Sequence, residues 1–385
     1  MKTLKISPRA EKRLKSGHLW IYSNEIDNEK TPLKSVDVGE QVCITAAGDR
    51  LVGHALADPH NLLCGKIVSR KQPLDRALLK KRIQVALAWR EQNYPQPFCR
   101  LLYAEGDYLP GLIIDRFADV FVVQMTVPGM AAFSNDIADI LQSLMPCRGI
   151  LFRDESTQEA EDLMVGDVPD FAELEENGVK FLAPVKAGQK TGWFYDHRDN
   201  RARLLPLVKG RRVLDVFSYI GGWGIQALSH GADSLTAIDS SAYALDCLEK
   251  NAALNGFENT VMAMQGKAFD AMQALIEDGS KFDMVIVDPP AFIKRKKDTR
   301  QGMKAYAKVN ELALRLLDKN GLLMTASCSM HLSEQDLQQC VQRSARHVDR
   351  NLALVYRGGH AADHPVHPAM AETAYLKAQL YRLLP

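Results

Sequence analysis

From residue 213 to the end of the chain, short, mostly apolar runs alternate with stretches where apolar residues return every three or four positions. A run of four to six apolar residues fits a strand covered on both faces, as in a parallel sheet. Mostly apolar segments of this kind occupy residues 213–217, 235–239, 260–264, 284–288 and 321–326, and two further strands, 352–356 and 375–384, close the sheet. The intervening pattern predicts helices, notably over 303–317. Another follows Ser240 or Ser241 as N-cap, with Leu245 and Leu248 inward and Gly256 just past its end. Strands alternating with helices in this way predict a doubly wound α/β sheet.

The first half reads differently. Residues 1–72 carry short strands at 36–44, 51–56 and 64–68 with Gly or Asp turns between them, the pattern of a small β-rich domain. Residues 74–91 form an amphipathic helix with Leu79, Ile83 and Leu87 on one face, expected to connect two domains. A Pro110-Gly111 turn, strands at 112–115 and 120–125 and a helix over 134–144 then open an α+β region reaching about residue 183. Residues 154–176 are rich in acids and hold no Lys or Arg, which favours an exposed linker or hairpin over a partner-binding tail. The expected domains are 1–72, 73–183 and 184–385.

Length agrees with two or three domains, since the chain has 385 residues. A formal net charge of +1 means that any affinity for nucleic acid must come from a local patch. The seven cysteines, at 43, 64, 99, 147, 247, 328 and 340, form no CxxC pair. Neither a disulfide framework nor a zinc knuckle is expected, and reduced thiols point to the cytoplasm. The first residues are charged and lack an apolar core, and no run is long enough to cross a bilayer, so no membrane association is expected.

Candidate chemistry gathers at strand ends. The run at 213–217 contains Asp215 and leads into Gly221, Gly222 and Gly224, then a helix start. Gly222, Gly224 and Ala227 formally fit the dinucleotide fingerprint, but Asp215 precedes the glycines and would repel a phosphate. A carboxylate there suits a cationic ligand, and S-adenosylmethionine, with its ammonium and sulfonium, fits. Asp239 ends the next strand, where an acid suits ribose hydroxyls. The fourth strand ends in Asp288-Pro289-Pro290-Ala291-Phe292, a stiff lip able to hold carbonyls toward a planar base. Lys294, Arg295, Lys296 and Lys297 follow it, either as solvated charge or as phosphate contacts. Cys328 follows the fifth strand and is either an inert thiol or a nucleophile for a pyrimidine ring. At the N-terminus, Lys12 and Arg13 stand near Trp20 and Tyr22, either a solvated basic arm beside a core Trp or an RNA-binding surface. His360, His364 and His367 form an HxxxHxxH cluster without a partner cysteine, so no metal is expected.

Several motifs together resemble one family. GHLWIYS (from Gly17), EGDYLPGLIIDRF (from Glu105), QKTGWFYDHRDNR (from Gln189), DVFSYIGGWG, DPPAF, SCS and ADHP…YLK are similar, in order and spacing, to the RlmI-type bacterial 23S rRNA cytosine methyltransferases. Tyr108 stands where that family usually has a glycine. The resemblance implies an α/β, class I (Rossmann-like) methyltransferase domain with an N-terminal PUA-like β-barrel that binds RNA and a central α+β domain. It implies S-adenosylmethionine held by Lys190, Phe194, Arg198, Asp215, Phe217, Tyr219, Gly221, Gly222, Asp239 and Asp288. It also implies Cys328 as the nucleophile on C6 of cytosine in large-subunit rRNA, with Asp288 as a candidate for the base that takes the C5 proton. Lys267 departs from the acid that many such folds present to the adenine amino group, a bond a lysine cannot accept. A homodimer stays open. The rival expectations are a guanine or adenine nitrogen methyltransferase, which needs no nucleophile, and a non-catalytic rRNA-binding assembly factor.

Overall fold

The computed structural model describes residues 1–156 and 162–385. Its contacts divide the chain into two units: Met1–Ala172 with Val185–Tyr195 and Ala362–Thr373, and Glu173–Pro184 with Asp196–Ala361 and Ala374–Pro385.

The first unit begins with β1 (Thr3–Lys5), α1 (Pro8–Lys15), β2 (Trp20–Tyr22), β3 (Gln41–Thr45), β4 (Leu51–Ala57) and β5 (Leu63–Ser69). They form a five-stranded sheet in the order β1-β3-β4-β5-β2. The expected strand at 36–44 starts only at Gln41. Val36 ends a 3-10 turn, and Gly39, at φ 80°, lies close enough to Gly129 that a Cβ would clash. The basic start is not an arm either. It is a strand and a helix, and Ser7 caps α1 by accepting from the Ala10 N–H.

Next come α2 (Arg76–Asn93), β6 (Phe98–Tyr103), β7 (Leu112–Phe117), β8 (Val120–Met125), α3 (Ser134–Leu144), β9 (Gly149–Asp154) and β10 (Leu163–Gly166). The second sheet runs β10-β9-β8-β7-β6. Rather than a bare connector, α2 buries Leu79, Ile83 and Ala86 in one apolar cluster with Leu101, Phe121, Ile137 and Phe152. The acid-rich stretch follows the hairpin alternative in part, since β10 pairs antiparallel with β9; it is not exposed throughout, since Glu176 is buried, and its residues 157–161 lie outside the described residues.

The second unit carries the hairpin β11 (Ala172–Glu176) and β12 (Val179–Ala183), then α4 (Arg198–Leu204), β13 (Arg212–Val216), α5 (Gly224–Ser229) and β14 (Ser234–Asp239). It continues with α6 (Ala242–Leu254), β15 (Val261–Gln265), α7 (Ala268–Glu277), β16 (Phe282–Val287), α8 (Thr299–Leu316), β17 (Leu317–Ser327), α9 (Glu334–His347), β18 (Asn351–Gly358) and β19 (Lys377–Leu384). The sheet order is β15-β14-β13-β16-β17-β19-β18. The first five strands are parallel, and β19 enters antiparallel between β17 and β18. Leu214, Val216, Val285, Val287 and Leu323 form its core with Val309, Leu312 and Leu316 of α8. Reversal of strand order about β13 leaves the crevice at the carboxyl ends of β13, β14 and β16, where ligands bind in such sheets.

Candidate active site

The crevice is lined first by the loop after β13. Phe217, Tyr219 and Gly221 have φ of 66°, 49° and 88°, so two residues with side chains sit in the left-handed region. That conformation is costly for them and persists only when neighbours hold it. Here the N–H groups of Phe217 and Ser218 donate to Ile238 O at 2.9 and 3.1 Å, and the Tyr219 N–H donates to Asp239 Oδ2 at 3.0 Å. Asp239 Oδ1 accepts from the Ser241 N–H at 2.9 Å. Asp239 therefore braces the loop while remaining partly exposed at the end of β14. A Cβ on Gly221 would lie 2.6 Å from Ile225 Cδ1, so both space and φ require glycine there. Gly222 is buried beside it.

Asp215 is fully buried beneath this loop. Its Oδ2 accepts from the Gly224 N–H at 3.0 Å, while Oδ1 and the buried Ser218 hydroxyl have no hydrogen-bond partner among the described residues. Burial pushes the Asp215 carboxyl up to about 7, opposed by the Gly224 N–H and reinforced by the charges of Asp288 and Asp239. Ionised, that unsatisfied oxygen is acceptor-only, the chemistry a cationic ligand would meet and the wrong chemistry for a pyrophosphate.

Asp288 ends β16 and is engaged on both oxygens. His197 Nε2 lies 3.2 Å from Oδ1, and Trp223 Nε1 donates to Oδ2 at 3.0 Å. Burial opposes ionisation of both groups. Even so, their mutual attraction holds Asp288 below the usual carboxylate range and His197 above the usual histidine value. A carboxylate so held is a poor proton acceptor. His197 was absent from the expected site, although it lies inside the aromatic and basic segment noted upstream of β13.

The lip itself is anchored by Phe292, whose ring packs 4.8 Å from Tyr306, 6.1 Å from Phe269 and 6.3 Å from Phe217. Cys328 follows β17 and is partly exposed, with Sγ 3.9 Å from the Pro289 carbonyl oxygen. Below it, the Tyr306 hydroxyl links the Ser327 and Ser329 hydroxyls at 2.8 Å each, and Ser329 Oγ accepts from the Ile293 N–H at 3.1 Å. The nucleophile candidate and the lip are thereby fixed to one another.

The other expected residues are dispersed. Lys190 and Phe194 belong to the first unit, where the exposed ammonium lies 5.4 Å from the Phe194 ring centroid. Arg198 is buried in the second unit and donates to Glu176 Oε2 at 3.5 Å; Arg201 reaches the same carboxylate at 2.6 Å. Lys267 occupies the N-cap position of α7 without making a capping bond. Lys12 is exposed on α1, Arg13 is paired with Glu25 at 2.6 Å, and Trp20 donates to Glu105 at 2.7 Å. Lys294, Arg295, Lys296 and Lys297 are exposed, Arg295 being paired with Asp298. Lys296 and Lys297 join Arg300, Lys304 and Arg343 around a pocket of about 620 Å³ whose lining contains no acid. His360 accepts from the Leu376 N–H in the second unit, while His364 and His367 are buried in the first, His364 against Asp363. Among the described residues no group of three such side chains is placed to hold a metal, and no helix is long and apolar enough to cross a membrane.

Comparison with known proteins shows the family. Residues 148–382 match the family model described as S-adenosylmethionine-dependent methyltransferase, and residues 4–70 match a PUA-like domain. Ribosomal RNA large subunit methyltransferase I of Shewanella denitrificans is 33% identical, covering 99% of both chains. A solved structure from Streptococcus mutans, assigned as a SAM-dependent methyltransferase, shares the fold with TM-score 0.85 at 20% identity, covering 99% of this chain and 100% of that one. A methyltransferase structure complexed with SAH superposes with TM-score 0.86 at 20% identity, over the same shares of the two chains. The chain belongs to the S-adenosylmethionine-dependent methyltransferase family, among relatives that carry the name ribosomal RNA large subunit methyltransferase I, and its cofactor is S-adenosylmethionine.

Proposed function

We propose that this protein forms 5-methylcytosine in large-subunit rRNA, with Cys328 as the nucleophile. The observation that carries the reading is the placement of Cys328 at the end of β17, its Sγ 3.9 Å from the lip carbonyl of Pro289. A nitrogen methyltransferase has no use for a thiol there. The relatives' names support rRNA as substrate, and the PUA-like domain supports RNA binding. In this reading the domains are 1–72, 73–183 and 184–385, and the enzyme works in the cytoplasm.

When bound, the cofactor supplies an electrophilic methyl group on a sulfonium. The residues assigned to hold it are Asp215, Phe217, Tyr219, Gly221, Gly222 and Asp239, with Lys190, Phe194, Arg198 and Asp288 carried over from the family resemblance. Asp215 offers its unsatisfied oxygen to the positive charge, and Asp239 offers the ribose hydroxyls an acceptor. The Cys328 thiolate would add to C6 of a cytosine drawn out of its stack, opening the C5–C6 double bond so that C5 can take the methyl group; loss of the C5 proton to solvent water then re-forms that bond and expels the thiolate. Asp288, held by His197 and Trp223, shapes the lip rather than taking that proton. Lys12, Arg13, Trp20 and the Lys294, Arg295, Lys296 and Lys297 run are assigned to RNA, the last beside the basic pocket.

Mass mapping of modified nucleosides in rRNA from a strain lacking the protein tests the reading. Loss of one 5-methylcytosine is expected. Loss of a nitrogen-methylated guanine or adenine, with all 5-methylcytosines intact, would overturn it.

A further inference from the structure

Lys377 opens β19 in register with Ser327, the residue before Cys328. Its neighbours along the strand, Ala378 and Leu380, are core residues, and Lys377 itself is only 7% exposed. Lysine is among the residues least often buried, because its charge must be met. Here Nζ donates to the carbonyl oxygens of Ser329 at 2.6 Å and Tyr375 at 2.7 Å. Both acceptors are neutral, and among the described residues no carboxylate lies within ion-pairing distance of Nζ. A well-packed aliphatic residue would cost less at this position unless the charge serves something.

The electrostatic surroundings name that partner. Burial pulls the Lys377 amine down to about 8, and the group that most opposes this is Cys328, followed by Asp336. Asp336 is already engaged in the capping box of α9, accepting from the N–H and hydroxyl of the N-cap Ser333 at 3.1 and 2.6 Å. From α8, Tyr306 also feels Cys328, but burial raises its hydroxyl above the usual tyrosine value, so it stays neutral. Of these two titratable neighbours, Lys377 is the one that brings charge to the thiol.

We propose that Lys377 is the counter-cation of the Cys328 thiolate. It is a positioning residue, fixed by the Ser329 and Tyr375 carbonyls, that favours ionised sulfur without touching RNA. On ionisation the S–H bond breaks, the electron pair stays on sulfur, the proton passes to solvent water and the ammonium keeps its own protons. A neighbouring cation shifts a thiol toward its reactive form in this way. The assignment rests on the reading of Cys328 as nucleophile and gives that sulfur its charge state.

The test is the pH profile of iodoacetamide alkylation on the full chain, following the Cys328 peptide by mass spectrometry. The wild-type midpoint is expected about one unit or more below the ordinary thiol value of about 8.5. In Lys377→Met the midpoint rises by about one unit, with roughly tenfold slower alkylation at neutral pH; Lys377→Arg keeps it within a few tenths. Equal midpoints in wild type and a folded Lys377→Met would overturn the proposal. If Lys377→Met does not fold, the wild-type profile decides: a midpoint at or above the ordinary value overturns the proposal and a lower one sustains it. No RNA is present in this measurement, so failure of the cytosine reading would register separately, as a missing RNA adduct with the alkylation profile unchanged.

Discussion

Asp215→Asn perturbs an acid of the crevice that is fully buried and, among the described residues, only half satisfied. Its carboxyl rises from an ordinary 3.8 to about 7 in the fold. A gap of about three units at 1.36 kcal/mol each is worth about 4 kcal/mol. Between these values the folded chain holds a proton that the unfolded chain has released, so stability falls as pH rises. The contribution is fully present below about pH 4 and gone once the pH has passed through about 7. An asparagine keeps a carbonyl oxygen for the Gly224 N–H but cannot ionise. Cofactor-free Asp215→Asn should therefore match wild type near pH 4 and exceed it by up to about 4 kcal/mol near pH 8. Urea unfolding at a series of pH values measures this, and the difference between the two proteins cancels the other titrating groups. Cofactor binding should show the converse. Wild-type affinity for S-adenosylmethionine should rise with pH toward neutrality with release of a proton, read by calorimetry in buffers of different ionisation heat. The variant should bind more weakly and lose that dependence. A stability difference that stays constant across the pH range would refute the reasoning.

Asp239→Ala removes the acceptor for the Tyr219 and Ser241 N–H groups. It should weaken cofactor binding by roughly 1–3 kcal/mol in calorimetry, and unchanged affinity would take Asp239 out of the site. Lys296→Ala with Lys297→Ala should lower the salt dependence of RNA binding by about one unit of slope per lost phosphate contact; an unaltered slope would leave the basic pocket as solvated surface. Glu176→Ala removes the buried carboxylate that serves Arg198, Arg201 and Gln226. It should cost about 3–5 kcal/mol in urea unfolding, against little loss if the two arginines find other partners.

The parallel core of the second sheet was legible because a strand buried on both faces is mostly apolar, as in Met284, Val285, Ile286 and Val287. Helix α6 was legible from Ser241, which does cap it, and helix α3 from its periodicity. Strands β1 and β2 were not, being three residues each, too short for any alternation to show. Strand β6 escaped because Arg100 interrupts its apolar run, a charge satisfied by Asp115 from β7 at 2.8 Å. Such pairings leave no periodic trace. In the crevice, Asp239, Asp288 and Cys328 announce themselves at strand ends and Asp215 as an acid inside an apolar strand. His197 and Lys377 acquire meaning only when folding brings them to Asp288 and Ser329. His197 and Lys377 do lie inside the family-like segments QKTGWFYDHRDNR and YLK, which was the available signal.

The central claim is a covalent bond between Cys328 and cytosine. C5 of cytosine is a poor nucleophile while the ring is aromatic, so carbon methylation needs prior addition at C6, whereas nitrogen methylation does not. RNA in which cytosine is replaced by 5-fluorocytosine cannot lose the C5 substituent as a proton and should trap the intermediate. The direct measurement is a denaturing gel of wild type and Cys328→Ser with this RNA and cofactor, with peptide mapping of any linked residue. The account predicts a denaturation-resistant adduct at Cys328 in wild type, and none in Cys328→Ser, which should still bind cofactor and RNA. No adduct in wild type, together with near-normal turnover in Cys328→Ser, would contradict it.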